Sequence, residues 1–456
     1  MDIYIDNVCG EIRSSVHSER SDDVEPLPAR VAVCFGIGSL GLASCWVAMT
    51  CDAVKFLRVY GPHSVFFMQL GYFLPVLPIA LLQKNMGDTM SRKVGTRASV
   101  LSQSMAAFIG NGLMCSLWEP IMKGWVRSQW QPWFACTIVV GVFSATGYGA
   151  LMFVVRLLDL RVRTWFVGGF AGGGAFNLAI LLATGGPLFS TARATPDSDR
   201  LYYSLVGALI WVGLACTLVA LLLEPSVASR MRMQDAVLAA RAAPSAGSST
   251  DRRPSIRDVL LAHDPELLAA VASMTLSFIC SVACFAMIAY VPSPDCTLPL
   301  TMTYVATFSG IVGGLIPSRI ASLPRLAAWR TAASLILVIC ATAQPKEPGA
   351  GPISAETAVG FGAVGLGLSS LIGGKLSRDA FALAAIGGPL ATTGTSSATP
   401  RVAALSLSIF VGAYVGFALV LVLIASGASQ PKLCQAELQP RAAWCVPVFW
   451  APCTDG

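Results

Sequence analysis

Three histidines, fourteen cysteines and a thin scatter of charged groups are all that this 456-residue chain offers for chemistry. His17, His63 and His263 are far apart in sequence and stand in polar stretches or at the ends of apolar runs. No Cys-x-x-Cys pair or Cys/His spacing of the kind that holds zinc occurs. Most of the cysteines lie inside apolar runs, where a thiol behaves as a small hydrophobe. Cys434, Cys445 and Cys453 cluster near the C-terminus, where a disulfide would require an oxidising compartment. The sequence contains no His-Glu-x-x-His metal motif, no Gly-x-Ser-x-Gly elbow and no Gly-x-x-x-x-Gly-Lys-Ser/Thr phosphate loop. Gly36-Ile37-Gly38 sits within an apolar run and cannot open a dinucleotide-binding turn. These absences argue against an enzyme, and no metal or cofactor is expected.

Charged groups within apolar runs are costly and usually functional, and here they are scarce. Asp52 and Lys55 stand near the end of the first run, one helical turn apart. Arg156 and Arg330 are read as lying near the cytosolic ends of their runs, from where a long side chain reaches the interface. No buried carboxylate–histidine relay is visible, which favours facilitated diffusion over proton or sodium coupling. Glycine is abundant inside the runs, at Gly168, Gly169, Gly172, Gly173 and Gly174, at Gly310, Gly313 and Gly314, and at Gly412 and Gly416. Small residues let helices approach closely, which suits bundles that move past one another.

The elements that must position these residues follow from composition. The chain is 55% hydrophobic and only 12% charged, about half the charge of a soluble domain, and its mean hydropathy is +0.66. Apolar stretches approximately at 31–57, 64–83, 98–117, 133–157, 165–189, 201–223, 267–291, 301–316, 326–343, 359–374 and 402–425 are mostly long enough to cross a hydrocarbon core of about 30 Å. The eighth and tenth are short and glycine-rich, and 381–390 reads as an interfacial or re-entrant piece. The expected fold is an all-α polytopic membrane protein of about eleven transmembrane helices in two bundles, six and five, with a major-facilitator-like architecture.

Basic residues alternate between loops as the positive-inside rule requires. Lys84, Arg92, Lys93 and Arg97 follow the second span, Arg161 and Arg163 the fourth, Arg319 and Arg325 the eighth, and Lys375, Arg378 and Arg401 the tenth. Arg230, Arg232, Arg241, Arg252, Arg253 and Arg257 follow the sixth. The opposite loops hold fewer, namely Lys123, Arg127, Arg193, Arg200 and Lys346. The expected order is a cytosolic tail (1–30), a first bundle (31–224), a flexible cytosolic linker (225–262), a second bundle (263–426) and an extracytosolic tail (427–456). The net charge of +6 is thereby explained by orientation in the bilayer. No dense basic face with interleaved aromatics appears, so no nucleic-acid partner is expected.

Eleven spans with a long loop after the sixth resemble the equilibrative nucleoside transporters. Gly36-Ile-Gly-Ser-Leu40 is similar to that family's first-span opening, and Met68 with Leu74-Pro75 to its second span. Gly169, Gly174, Phe285, Gly412 and Gly416 fall at further family positions, while Val312 and Ile316 stand where the family has Asp and Arg. The resemblance implies alternating-access, facilitative transport of nucleosides or nucleobases. It also implies a midplane site lined by Leu40, Val47, Phe73, Phe170, Phe285 and Ser309. The expected partners are a small polar metabolite and the lipid bilayer, with the plasma membrane favoured over an organelle. Two alternatives stay open: a major-facilitator-type porter of another small metabolite, and a carrier-like membrane protein that transports nothing.

Overall fold

The computed structural model describes residues 27–51, 53, 56, 63–124, 130–184, 196–242, 265–287, 306, 309, 310, 312, 313, 316, 322–342, 355–386 and 398–426. Within them the regular elements are helices: α1 (Ala29–Cys51), α2 (Ser64–Phe73), α3 (Val76–Val94), α4 (Thr96–Gly124), α5 (Trp130–Leu157), α6 (Leu160–Ala183), α7 (Pro196–Leu218), α8 (Pro225–Ala242), α9 (Pro265–Met287), α10 (Leu323–Thr342), α11 (Ala355–Ile386) and α12 (Ala398–Ala425). In lipid every backbone polar group must be satisfied internally, so long apolar runs coil into helices. Nine spans among the described residues are long and apolar enough to cross a membrane. Their outer faces are apolar too: Leu223, Val422, Phe176, Ile339 and Leu335 are all more than half exposed. Water would not tolerate such a surface, but a bilayer would.

Two groups of helices result. α1 packs along α6 and α7, and α4 packs against α5 and α7, with α2 set against α5. α1 is the most enclosed of the nine spans. Close approach to α6 depends on Gly169, where a β-carbon would run into the Gly36 carbonyl. The same seam is stitched by Ser39 Oγ, 2.6 Å from the Phe166 carbonyl, and by Asn177 Nδ2, which donates to Ser44 Oγ at 3.1 Å. In the second group α9 packs against α10, α11 and α12, and α10 lies along α11. Gly412 and Gly416 of α12 face the backbone of α9, as a small-xxx-small pair should.

The groups meet where α2 gives way to α3. Prolines at positions 75 and 78 have no N–H, so the carbonyls of Gly71 and Leu74 lose their helical partners and the second span breaks. Tyr414 of α12 reaches across and donates to the Leu74 carbonyl at 2.7 Å, with the Phe73 carbonyl at 3.2 Å. Phe417 lies beside it, its ring 5.8 Å from that of Phe66 and 6.1 Å from that of Phe73. Tyr414→Phe is expected to weaken this junction by about 1 kcal/mol, read as a lower Tm of the purified protein with the helical content unchanged.

Three expectations are corrected. The tenth span and the piece at 381–390 are not separate, because α11 runs unbroken through both as far as Ile386. Lys375, expected in a loop after the tenth span, pairs with Asp379 one turn on at 2.9 Å, with side chains only 4% and 10% exposed, so the helix absorbs them instead of ending. The stretch from 225 to 242, expected as a flexible tether, is α8: proline stands at its first position and Ala, Met, Arg, Gln and Leu favour helix. Its Asp235 accepts the Thr96 backbone N–H at 2.9 Å and its Arg230 pairs with Asp159 at 3.0 Å, which docks α8 on the end of the first group. Asp52 and Lys55, most of the eighth span, residues 243–262 and the cysteine-bearing tail lie outside the described residues.

The link between α3 and α4 is a single residue, Gly95, with φ +85°. Its N–H donates to the Ser91 carbonyl at 2.8 Å. Gly95→Ala is expected to cost about 2 kcal/mol, because a side chain rarely adopts that backbone geometry. Thermal melting of the variant checks it.

Candidate functional site

At the junction of the two groups lies a cavity of about 270 Å³. α1 supplies Trp46 and Thr50, and α2 supplies Gln69 and Phe73. From the other side come Phe278 and Ser281 of α9, Arg330 of α10, and Ser369 and Ser370 of α11. The first group therefore presents two aromatic rings beside a hydroxyl and an amide. Trp46 stacks on Tyr72 with ring centroids 3.9 Å apart and meets Phe73 edge-on at 6.1 Å. The second group presents a cation and hydroxyls beside the apolar side chains of Phe278, Val282 and Leu366.

Arg330 is 5% exposed. It sits in the eighth position of α10, about 10 Å along the helix from its start at 1.5 Å per residue. Its guanidinium donates to the hydroxyls of Ser277 and Ser281, which stand four residues apart on one face of α9. Room for it is made by Gly373 of α11, where a β-carbon would run into the guanidinium carbon and nitrogens. Among the described residues the Nε hydrogen has no acceptor and no carboxylate pairs with the group. Ser334 Oγ, one turn on, bonds the Arg330 carbonyl at 2.8 Å and lies 2.9 Å from Ser369 Oγ, which ties α10 to α11. Gln69 adds a second orphan, a buried Oε1 without a hydrogen-bond partner. Unpaired polar atoms of this kind cost on the order of 1–3 kcal/mol each, and more when charged, so a cavity that collects them is built to meet something.

The expectation that Arg330 reaches the membrane interface is thus wrong: the serines of α9 and the missing side chain at Gly373 give the guanidinium a polar berth inside. Besides Arg330, the Lys375–Asp379 pair is enclosed among the described residues. The side chain of Arg156 lies outside the described ones.

Of the six residues expected to line the site, Phe73 is on the cavity wall. Leu40 is buried in α1, its carbonyl accepting the Ser44 hydroxyl at 2.7 Å. Val47 lies near Gly173 on the α1–α6 seam, and Phe170 packs edge-on against Tyr148 with centroids 5.3 Å apart. None of these three lines the cavity, nor does Ser309, which is half-buried. Phe285 is in α9, but its side chain lies outside the described ones. Sequence reading missed Arg330, Gln69 and Trp46 as site residues. A signal did exist: Arg330 interrupts an otherwise apolar run, and Ser277 and Ser281 stand at helical spacing in another.

No family model matches the chain, and no curated protein matches it. Among solved structures it is similar to a variant of the E. coli fucose:proton symporter FucP, at 15% identity and a TM-score of 0.42, over 89% of this chain and 94% of that one. A likeness that slight says nothing of substrate. The class that the described residues define is a multi-span helical protein with a partly open cavity, lined by apolar and polar side chains, between two groups of helices.

Proposed function

We propose that the chain is an alternating-access carrier of a small metabolite, which binds in the cavity between the two groups of helices. The observation that carries this reading is that both groups line the cavity: Trp46, Thr50, Gln69 and Phe73 from one, and an incompletely satisfied guanidinium among serines from the other. A ligand held by both would be released when they rock apart, as in carriers whose site lies near the bilayer midplane. On this reading the cavity's work is recognition and movement.

Facilitated nucleoside or nucleobase transport is one form of this proposal. Trp46 and Phe73 offer ring faces for a base, and Gln69 an amide for its edge. A porter of another small metabolite is the form that Arg330 favours, because a neutral nucleoside leaves the guanidinium without a counter-charge. Uptake of radiolabelled adenosine and hypoxanthine, each measured with the full chain at the surface of transporter-deficient cells, tests the first form. Saturable uptake of either above background supports it, and background uptake at verified surface expression rejects it.

A further inference from the structure

We propose that the cavity takes a small organic monoanion with a flat apolar body, and that the protein exchanges such anions across the membrane instead of letting them run down singly. This deepens the carrier reading above and rests on it.

The counter-charge is the first consideration. Arg330 is 5% exposed, and among the described residues its acceptors are two neutral hydroxyls, its Nε has none, and no carboxylate pairs with it. A cation withdrawn from water needs an opposite charge as well as hydrogen bonds. The described protein groups supply hydrogen bonds only. A carboxylate on the ligand supplies both, because a guanidinium presents a planar fork of donors that matches it.

Shape is the second. The first group lines the cavity with two aromatic rings, Trp46 backed by Tyr72 and Phe73 set edge-on to it, beside Thr50 and Gln69. A cavity of about 270 Å³ holds a ring with a short acidic arm, near the lower end of small-molecule sites. One ligand then bridges the groups, its ring on α1 and α2 and its charge on α10.

Exchange follows from the same charge. With an anion bound, the site is neutral and closing the cavity around it is cheap. Without one, closing the cavity seals an unpaired cation in a low dielectric. The empty carrier therefore changes sides slowly, and the loaded one quickly. Net movement of a single anion requires the slow step, whereas exchange avoids it.

The test uses the purified full chain in liposomes with nicotinate and phenylpyruvate as probes, and nicotinamide as the neutral isostere of nicotinate. At least one labelled anion is expected to enter liposomes preloaded with the same unlabelled anion roughly tenfold faster than empty ones. That anion raises the Tm of the detergent-solubilised protein in a chloride-free buffer, while nicotinamide does not. Arg330→Gln loses both effects, and Arg330→Lys, which keeps the charge but not the fork, retains part of the stabilisation. Should Arg330→Gln not fold, the nicotinate–nicotinamide comparison and the preloading ratio on the unaltered chain decide the matter. Equal stabilisation by nicotinamide, uptake indifferent to preloading, or chloride alone giving the whole Tm shift would each overturn the proposal. Saturable adenosine uptake with no anion exchange overturns it but leaves the carrier reading standing. No flux and no stabilisation by any anion, adenosine, hypoxanthine, phenylalanine or glucose removes both.

Discussion

Replacing Gly373 by leucine is expected to lower transport by roughly 100-fold, the scale of loss when a binding group is displaced by about an ångström or more. Even a β-carbon at this position runs into the guanidinium of Arg330. The obstacle is the far end of a long flexible side chain and not backbone, so the helix can stay in place while the guanidinium leaves the serines of α9. Leucine then occupies the berth. The charge is retained but moved, which separates this variant from Arg330→Gln. Gly373→Ala is expected to have a smaller effect, since a modest shift of the guanidinium relieves it. Initial uptake rates per molecule at the surface, set beside the Tm, check the prediction. Unchanged uptake in the leucine variant would remove Arg330 from the binding site.

Gly169→Ala is expected to be among the most damaging small substitutions in the chain, at about 3 kcal/mol. Its β-carbon would meet the Gly36 carbonyl and the Ser39 hydroxyl. Backbone cannot swing aside as a guanidinium can, so α1 and α6 must part. The Ser39–Phe166 and Asn177–Ser44 hydrogen bonds loosen with them. An internal control lies on the same helix. Gly168 and Gly172 would meet nothing within 4 Å, and alanine at either is expected to be neutral or to stabilise by up to about 1 kcal/mol through helix propensity. Melting curves of the three variants suffice, and a stable Gly169→Ala protein would show that the seam is looser than it looks.

The glycine run at 168–174 illustrates how far pattern alone can go. Its concentration in one span announces close helix packing, and Gly412 and Gly416 announce it again in the last span. Pattern cannot say which glycine faces the neighbour: Gly169 and Gly173 do, whereas Gly168 and Gly172 do not. That depends on the rotation of α6 about its own axis, set by everything packed against it. Helix α8 is the opposite case. Its residues have good helix propensity, but the stretch is polar, and polarity next to a long Arg- and Ser-rich segment reads as tether. Its docking rests on Asp235 and Arg230 finding an N–H and a carboxylate on the first group, at Thr96 and Asp159.

What the sequence by itself determined is the bilayer as solvent and the helix as the answer to it. Uninterrupted apolar runs of about twenty residues leave the backbone no other way to satisfy its polar groups, and their positions agree with the described helices to within a few residues for most spans. What only the tertiary structure decided is where Arg330 goes. In sequence it is one charge in an apolar run, equally compatible with a side chain stretched to the interface or folded inward. The choice falls to Ser277, Ser281 and Gly373, which come from two other helices, 53, 49 and 43 residues away along the chain. A buried charge is held by its neighbours in space, and neighbours in space are what a linear pattern does not contain.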